Sequence, residues 1–341
     1  MAVSSLCSLL RPAIDLHKRP MSKLIRISSC AYPHTSDIDP SVTKSSGNWT
    51  RLVNLCTMRA QAALDQPTGA YTQYHRNALH DLFGSLRATH RSIRLLLDLG
   101  DEKPESVDAL ALARLQVEAL YSICLLTEGP SYVDDFLRDA WKKQYVSYLL
   151  LREESKHLPR FVEFDVPEMS RLLKLSTIWS VTERERLTIE YDNLGNGPPG
   201  FERQKICRFP TPGTLITQLP GGAKRKMLER LYFDYQHLCS FAHGLPIASM
   251  AKGVFDCRSS LRQMFTEPEI KKNFEQEVSA AAQVYSFLSI AQSVAELTTL
   301  YPNDIELVSG AADAWNHLLN SHLLVNAIWN IRTKALLGVV G

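Results

Sequence analysis

The sequence predicts an all-α protein: a single helical bundle with a long irregular insertion and a disordered N-terminal tail. Three observations point there. From Asn48 onward, apolar residues recur at spacings of three and four nearly everywhere, the period of a helix with one buried face. No stretch alternates apolar and polar residues over several strands, and no internal repeat is present. Gly and Pro punctuate the periodic segments, marking where one helix stops and the next begins.

Taken in order, Trp49 to Leu64 forms the first helix, and Asp65-Gln-Pro-Thr-Gly69 stops it. A second runs from about Tyr71 to Leu99 and ends at Gly100. Pro104-Glu105-Ser106 opens a third, Val107 to Thr127, apolar on most of its circumference, which places it at the centre of a bundle. Ser131, Asp134 and Asp135 cap a fourth that reaches about Lys156, anchored by Phe136, Trp141, Tyr145, Tyr148 and Leu149. Residues 159–222 read as the irregular excursion, rich in Pro and Gly, with short helical pieces around Leu172 and from Thr182 to Tyr191. Helical order returns from Ala223 to His243, then in two long helices, about Pro268 to Leu300 and Ile305 to Leu337. The domain reading is a disordered extension over 1–47 and a bundle over 48–341.

A chain of 341 residues, 45% hydrophobic and 22% charged, can bury a large core. Residues 1–46 hold six Lys and Arg against three Asp and Glu, so the tail is +3; the rest holds 32 against 33 and is −1. A balanced body lacks the electrostatic footprint of a phosphate-backbone binder, which makes RNA a secondary candidate as partner. The stretch from Met1 to about Thr35 is rich in Ser and Arg and almost free of acid, a transit-peptide composition; the plainer reading is a disordered extension, or Met21 as the start. Seven cysteines, widely spaced and without Cys-x-x-Cys, fit reduced thiols in a cytoplasmic protein. No uninterrupted apolar run of about 18 residues exists, so no membrane span is expected.

Two constellations carry the candidate chemistry. On the third helix, Arg114 and Glu118 lie one turn apart with Tyr121 beyond them, interrupting a greasy face; buried charge of this kind must be paired. On the helix ending at Gly244, Gln236, Ser240 and His243 form one stripe near Tyr235, and His237 points away from it. The candidate polar cluster is therefore Arg114, Glu118, Tyr121, Tyr235, Gln236, Ser240 and His243. Metal spacing is poor: no His-x-x-x-His occurs, and Glu154-Ser-Lys-His157 is the single Glu-x-x-His where a di-iron bundle needs two. Gly221-Gly-Ala-Lys-Arg-Lys226 lacks phosphate-loop spacing, and no Gly-x-Ser-x-Gly is present. No metal and no cofactor is expected.

Arg114-Leu-Gln-Val-Glu118 together with Tyr235-Gln-His-Leu-Cys-Ser240-Phe-Ala-His243-Gly244 resembles a group of uncharacterised bacterial helical proteins that pair an Arg-x-x-x-Glu helix with a Tyr…Ser-x-x-His helix. The resemblance spans about residues 75–250 and implies a fold, with no known activity. Arg152-Glu-Glu-Ser-Lys-His157 and Arg230-Leu-Tyr-Phe-Asp-Tyr-Gln-His237 also resemble the Arg…His motif of HEPN-type helical domains of defence systems, some of which are ribonucleases. That resemblance implies Arg230 and His237 as an alternative nuclease pair. The leading expectation is a non-enzymatic cytoplasmic protein, defence- or stress-related, acting through a protein partner or as a homo-oligomer. It rests on the apolar C-terminal helices, where Trp315, Leu318, Leu319, Leu323, Val325, Ile328 and Trp329 provide more apolar surface than one face can hide. A HEPN-like ribonuclease is the alternative, and a binder of small anionic ligands held by Arg114 the third reading.

Overall fold

The fold is taken from a computed structural model that describes residues 46–98, 105–158, 161–195, 201–204, 208–242 and 268–338. The expected N-terminal extension lies outside the described residues, except that positions 46 and 47 already belong to the first helix. Every regular element described is helical, and the one β-bridge, Thr68 with Tyr71, is isolated.

Two helices make the centre. Helix α3 (Glu105–Leu126) and helix α9 (Pro268–Leu297) pack along each other more extensively than any other pair, as their composition dictates. On α9 every residue from 282 to 297 is buried, and Ala282, Ser286, Ser289, Ala291, Ser293 and Ala295 supply the small side chains that let neighbours approach closely. The window Asp108–Leu126 of α3 is long and apolar enough to cross a membrane, yet 61% of it is buried among the other helices, as in a core helix. Around this pair sit α1 (Ser46–Leu64), α2 (Gln73–Asp98), α8 (Ala223–Ala242) and α10 (Ile305–Leu318). Helix α1 turns Val53, Cys56, Ala60, Ala63 and Leu64 inward at the expected spacing. It meets α10 closely at Gly310, where a Cβ would stand 2.9 Å from Arg59 Cδ.

Helix α4 (Pro130–Ser155) begins on this core with Val133 and continues past it. Beyond Asp139 its Trp141, Tyr145, Tyr148 and Leu149 build a second, smaller cluster with Leu172 and Ile189. Those two residues belong to α5 (Phe161–Ile178) and α6 (Glu183–Leu194), which lie inside the stretch read as irregular. The described part of 159–222 is thus largely helical, and a further short helix, α7 (Pro212–Gln218), precedes α8. Pro167 sits inside α5 despite the lost hydrogen bond, because Met169, Leu172 and Leu175 gain burial against α4. Helix α6 is closed by a capping box between Thr182 and Glu185 and by left-handed Gly195, φ 69°.

The C-terminal helix departs from expectation as well. The single helix read over 305–337 breaks after Leu318: Leu319 is extended, Asn320 is left-handed at φ 68°, and His322 caps α11 (Leu323–Ile328) by accepting from the Leu324 N–H. A π-helical turn, Trp329–Thr333, and a last turn, Lys334–Leu336, complete the described chain. The break folds Trp329 back on Trp315, ring centroids 5.6 Å apart. It also hides the apolar surface on which self-association was argued, since Trp315, Leu318, Val325 and Ile328 are buried within the chain and Leu319 and Trp329 partly so; Leu323 alone of that set is strongly exposed.

Candidate functional site

Helix geometry puts Arg114 and Glu118 one turn apart on α3, and the pair forms: Arg114 Nη2 donates to Glu118 Oε1 at 2.6 Å. Helix α8 crosses that face and brings Tyr235, whose hydroxyl donates to the same Oε1 at 2.6 Å. Burial works against the charge of the Arg114 guanidinium, but Tyr235 and the Glu118 carboxylate beside it prevail and hold it still more firmly protonated than usual. Burial first, then the bond to Glu118, pushes the Tyr235 phenol well above its ordinary value. Such a phenol donates a hydrogen bond near neutrality and supplies no phenolate nucleophile. The Tyr121 ring lies tilted against that of Tyr235, centroids 5.8 Å apart, but its hydroxyl leaves the cluster to donate to the Leu228 carbonyl at 2.7 Å.

The remaining sequence candidates sort differently. Gln236 is exposed, because α8 turns Leu228, Leu231, Tyr235 and Leu238 toward the core and its opposite side to water. His243 and the Ser240 side chain lie outside the described residues. Arg230 pairs along its own helix with Asp234, 3.5 Å away, and Asp234 also accepts from the Tyr285 hydroxyl at 2.9 Å. His237 is half-buried, and burial lowers its pKa against the pull of Asp234. Among the described residues no group of three or more His, Cys, Asp or Glu is arranged to hold a metal ion.

A second polar cluster, which the sequence reading missed, is more deeply buried. Glu296 on α9 is fully buried, and Arg332 from the π-helical turn grips it with two bonds, Nε to Oε1 at 2.9 Å and Nη2 to Oε2 at 3.0 Å. Lys224 at the start of α8 stands 3.1 Å from Oε2, and Gln292 donates to Oε1 at 2.9 Å. Lys224 further donates to the Cys124 carbonyl, the Thr127 hydroxyl and Glu128. Two cations face two carboxylates, and the roughly four acceptor sites of Glu296 are all in use. Although burial raises the pKa of Glu296, Arg332 and Lys224 prevail and hold it below the usual carboxylate range. A saturated, neutral network of this kind joins α3, α8, α9 and the C-terminal turn and leaves no valence for a ligand. Its sequence signal was Glu296 itself, a lone acid in a greasy helix, the same signal that singled out Glu118.

No protein-family model, curated protein or solved structure matches this chain. The site therefore has to be read from its own chemistry.

Proposed function

We propose that this protein works by association rather than catalysis, pairing with a second copy of itself through the arm formed by α4 and α5. The observation that carries the reading is where exposed apolar side chains collect. Seven of the fifteen large hydrophobic residues exposed among the described ones fall between 150 and 178: Leu150, Leu151, Leu158, Phe164, Val166, Leu173 and Ile178. Singly exposed apolar residues are ordinary, whereas a concentration on one hairpin marks a contact surface. Between the two helices runs a shallow groove of about 370 Å³ with Leu151 and Phe164 on its walls and Lys143 and Arg171 beside them. Residues 130–195 carry ten Lys and Arg against twelve Asp and Glu, so little repulsion opposes two copies meeting.

The Glu296 cluster favours the same reading, because its carboxylate is satisfied within the chain. Buried thiols fit a reducing compartment such as the cytoplasm: burial pushes Cys56 up to about 12 and raises Cys124 as well. The ribonuclease alternative has less behind it, since Arg230 spends its charge on Asp234. An anion on Arg114 would have to displace Glu118, which already neutralises it.

Light scattering after size exclusion tests the proposal. Wild type should run as a dimer at high micromolar concentration, and Leu151→Glu with Phe164→Glu should shift it to monomer with unchanged helical circular dichroism. A wild type that stays monomeric under those conditions ends this reading.

A further inference from the structure

A cleft of about 240 Å³ lies beside the Arg114, Glu118 and Tyr235 cluster, walled by α3, α4 and the segment that enters α7. Its polar groups are unequal in kind. Glu118 contributes a carboxylate, and Ser122 a hydroxyl whose own proton goes to the Glu118 carbonyl at 3.1 Å, leaving its lone pairs available. The Tyr121 proton is spent on the Leu228 carbonyl, and Pro210 and Pro212 bring no backbone N–H. Lys143 stands at the rim, 77% exposed and 2.8 Å from Asp139. Phe136 and Phe209 meet edge to face, centroids 5.1 Å apart, and form an aromatic wall. Thr211 lines the cleft too, its hydroxyl 3.2 Å from that of Thr214, so the cleft presents mainly acceptors and π-faces, with Lys143 at the rim as the cation among its lining side chains.

We propose that this cleft binds a compact primary amine with an apolar body, its ammonium on Glu118 and its body against Phe136 and Phe209. An ammonium brings three N–H groups and no acceptor, the complement of this inventory, and its bond to a carboxylate is charge-assisted. Arg114 and Tyr235 both bond Oε1, which fixes the carboxylate in place; Oε2 receives no hydrogen bond from a described residue. The aromatic wall buries the apolar body. A volume of about 240 Å³ falls below the roughly 300–1,000 Å³ typical of pockets for drug-sized molecules, so the ligand is about as large as a single amino acid. This site does not depend on self-association.

Isothermal titration with three probes of one shape tests it: 2-phenylethylamine, the neutral 2-phenylethanol and the anionic phenylacetate. The amine should bind wild type at least about tenfold more tightly than the alcohol, about 1.4 kcal/mol, with phenylacetate weakest. Glu118→Gln should erase the preference for the amine, and Phe209→Ala should weaken amine and alcohol together. If Glu118→Gln proves unfolded by circular dichroism, the comparison of amine with alcohol on wild type decides alone. Absence of amine binding, equal binding of amine and alcohol, or a preference for phenylacetate overturns the proposal.

Discussion

His90 shows how one buried side chain sets a property of the whole chain. It projects from α2 into the core, 1% exposed, with Nδ1 2.7 Å from the Ser286 hydroxyl on α9; Nε2 has no hydrogen-bond partner among the described residues. Burial, then repulsion from Arg94, lowers its pKa from 6.5 to about 4. The sign follows from proton linkage: between those values the unfolded chain binds a proton that the folded chain refuses, so stability rises as pH rises. The contribution is fully present above 6.5, shrinks as pH falls toward 4 and is flat below it, about 3 kcal/mol over the window at 1.36 kcal/mol per pH unit. Urea denaturation at a series of pH values should show this slope in wild type and a flatter curve in His90→Gln; parallel curves would refute the assignment. Arg114 with Glu118 was legible at this scale, because one helical turn fixes both ends of the pair. The cationic partners of Glu296 were not, since they come from α8 and the C-terminal turn.

At the scale of elements, periodicity located the helices well but misjudged two interruptions. The Pro and Gly of 159–222 suggested irregular chain, yet α5 runs through Pro167, because packing on α4 outweighs one lost bond. Asn320 gave little warning, yet the chain turns there, at φ 68°. Asn tolerates the left-handed region better than other non-glycine residues, and its amide N–H finds the Asn326 side-chain oxygen at 3.1 Å. A β-branched residue has no such tolerance. Asn320→Val should cost about 1–2 kcal/mol and Asn320→Gly little or nothing, measured by thermal unfolding. Equal stability of the two variants would mean that the left-handed turn is not what holds α11 against α10.

On the scale of the molecule, the two hydrophobic clusters are unequal. The larger spans α1 to α3 and α7 to α11, with the start of α4; the smaller is Trp141, Tyr145, Tyr148, Leu149, Leu172 and Ile189. Helix α4 belongs to both, so the arm is joined to the bundle by a continuous helix and by the pair Arg138 with Glu185. Cooperative units with less buried surface open at lower free energy. Amides of α5 and α6 should therefore exchange with deuterium before those of α3 and α9 under native conditions. Uniform protection across all four helices would argue that arm and bundle unfold as one.

The sequence alone determined that the chain is helical, where most helices begin, and that charge set into greasy faces must be paired, because these depend on spacing along a single helix and on the cost of dry charge. Only the tertiary structure decided that Tyr235 rather than Gln236 meets Glu118, that Lys224 and Arg332 converge on Glu296, and that the C-terminal helix breaks to bring Arg332 there. Those choices rest on how helices distant in sequence rotate and pack against one another, and the period of three and four names the buried face without naming what lies across it.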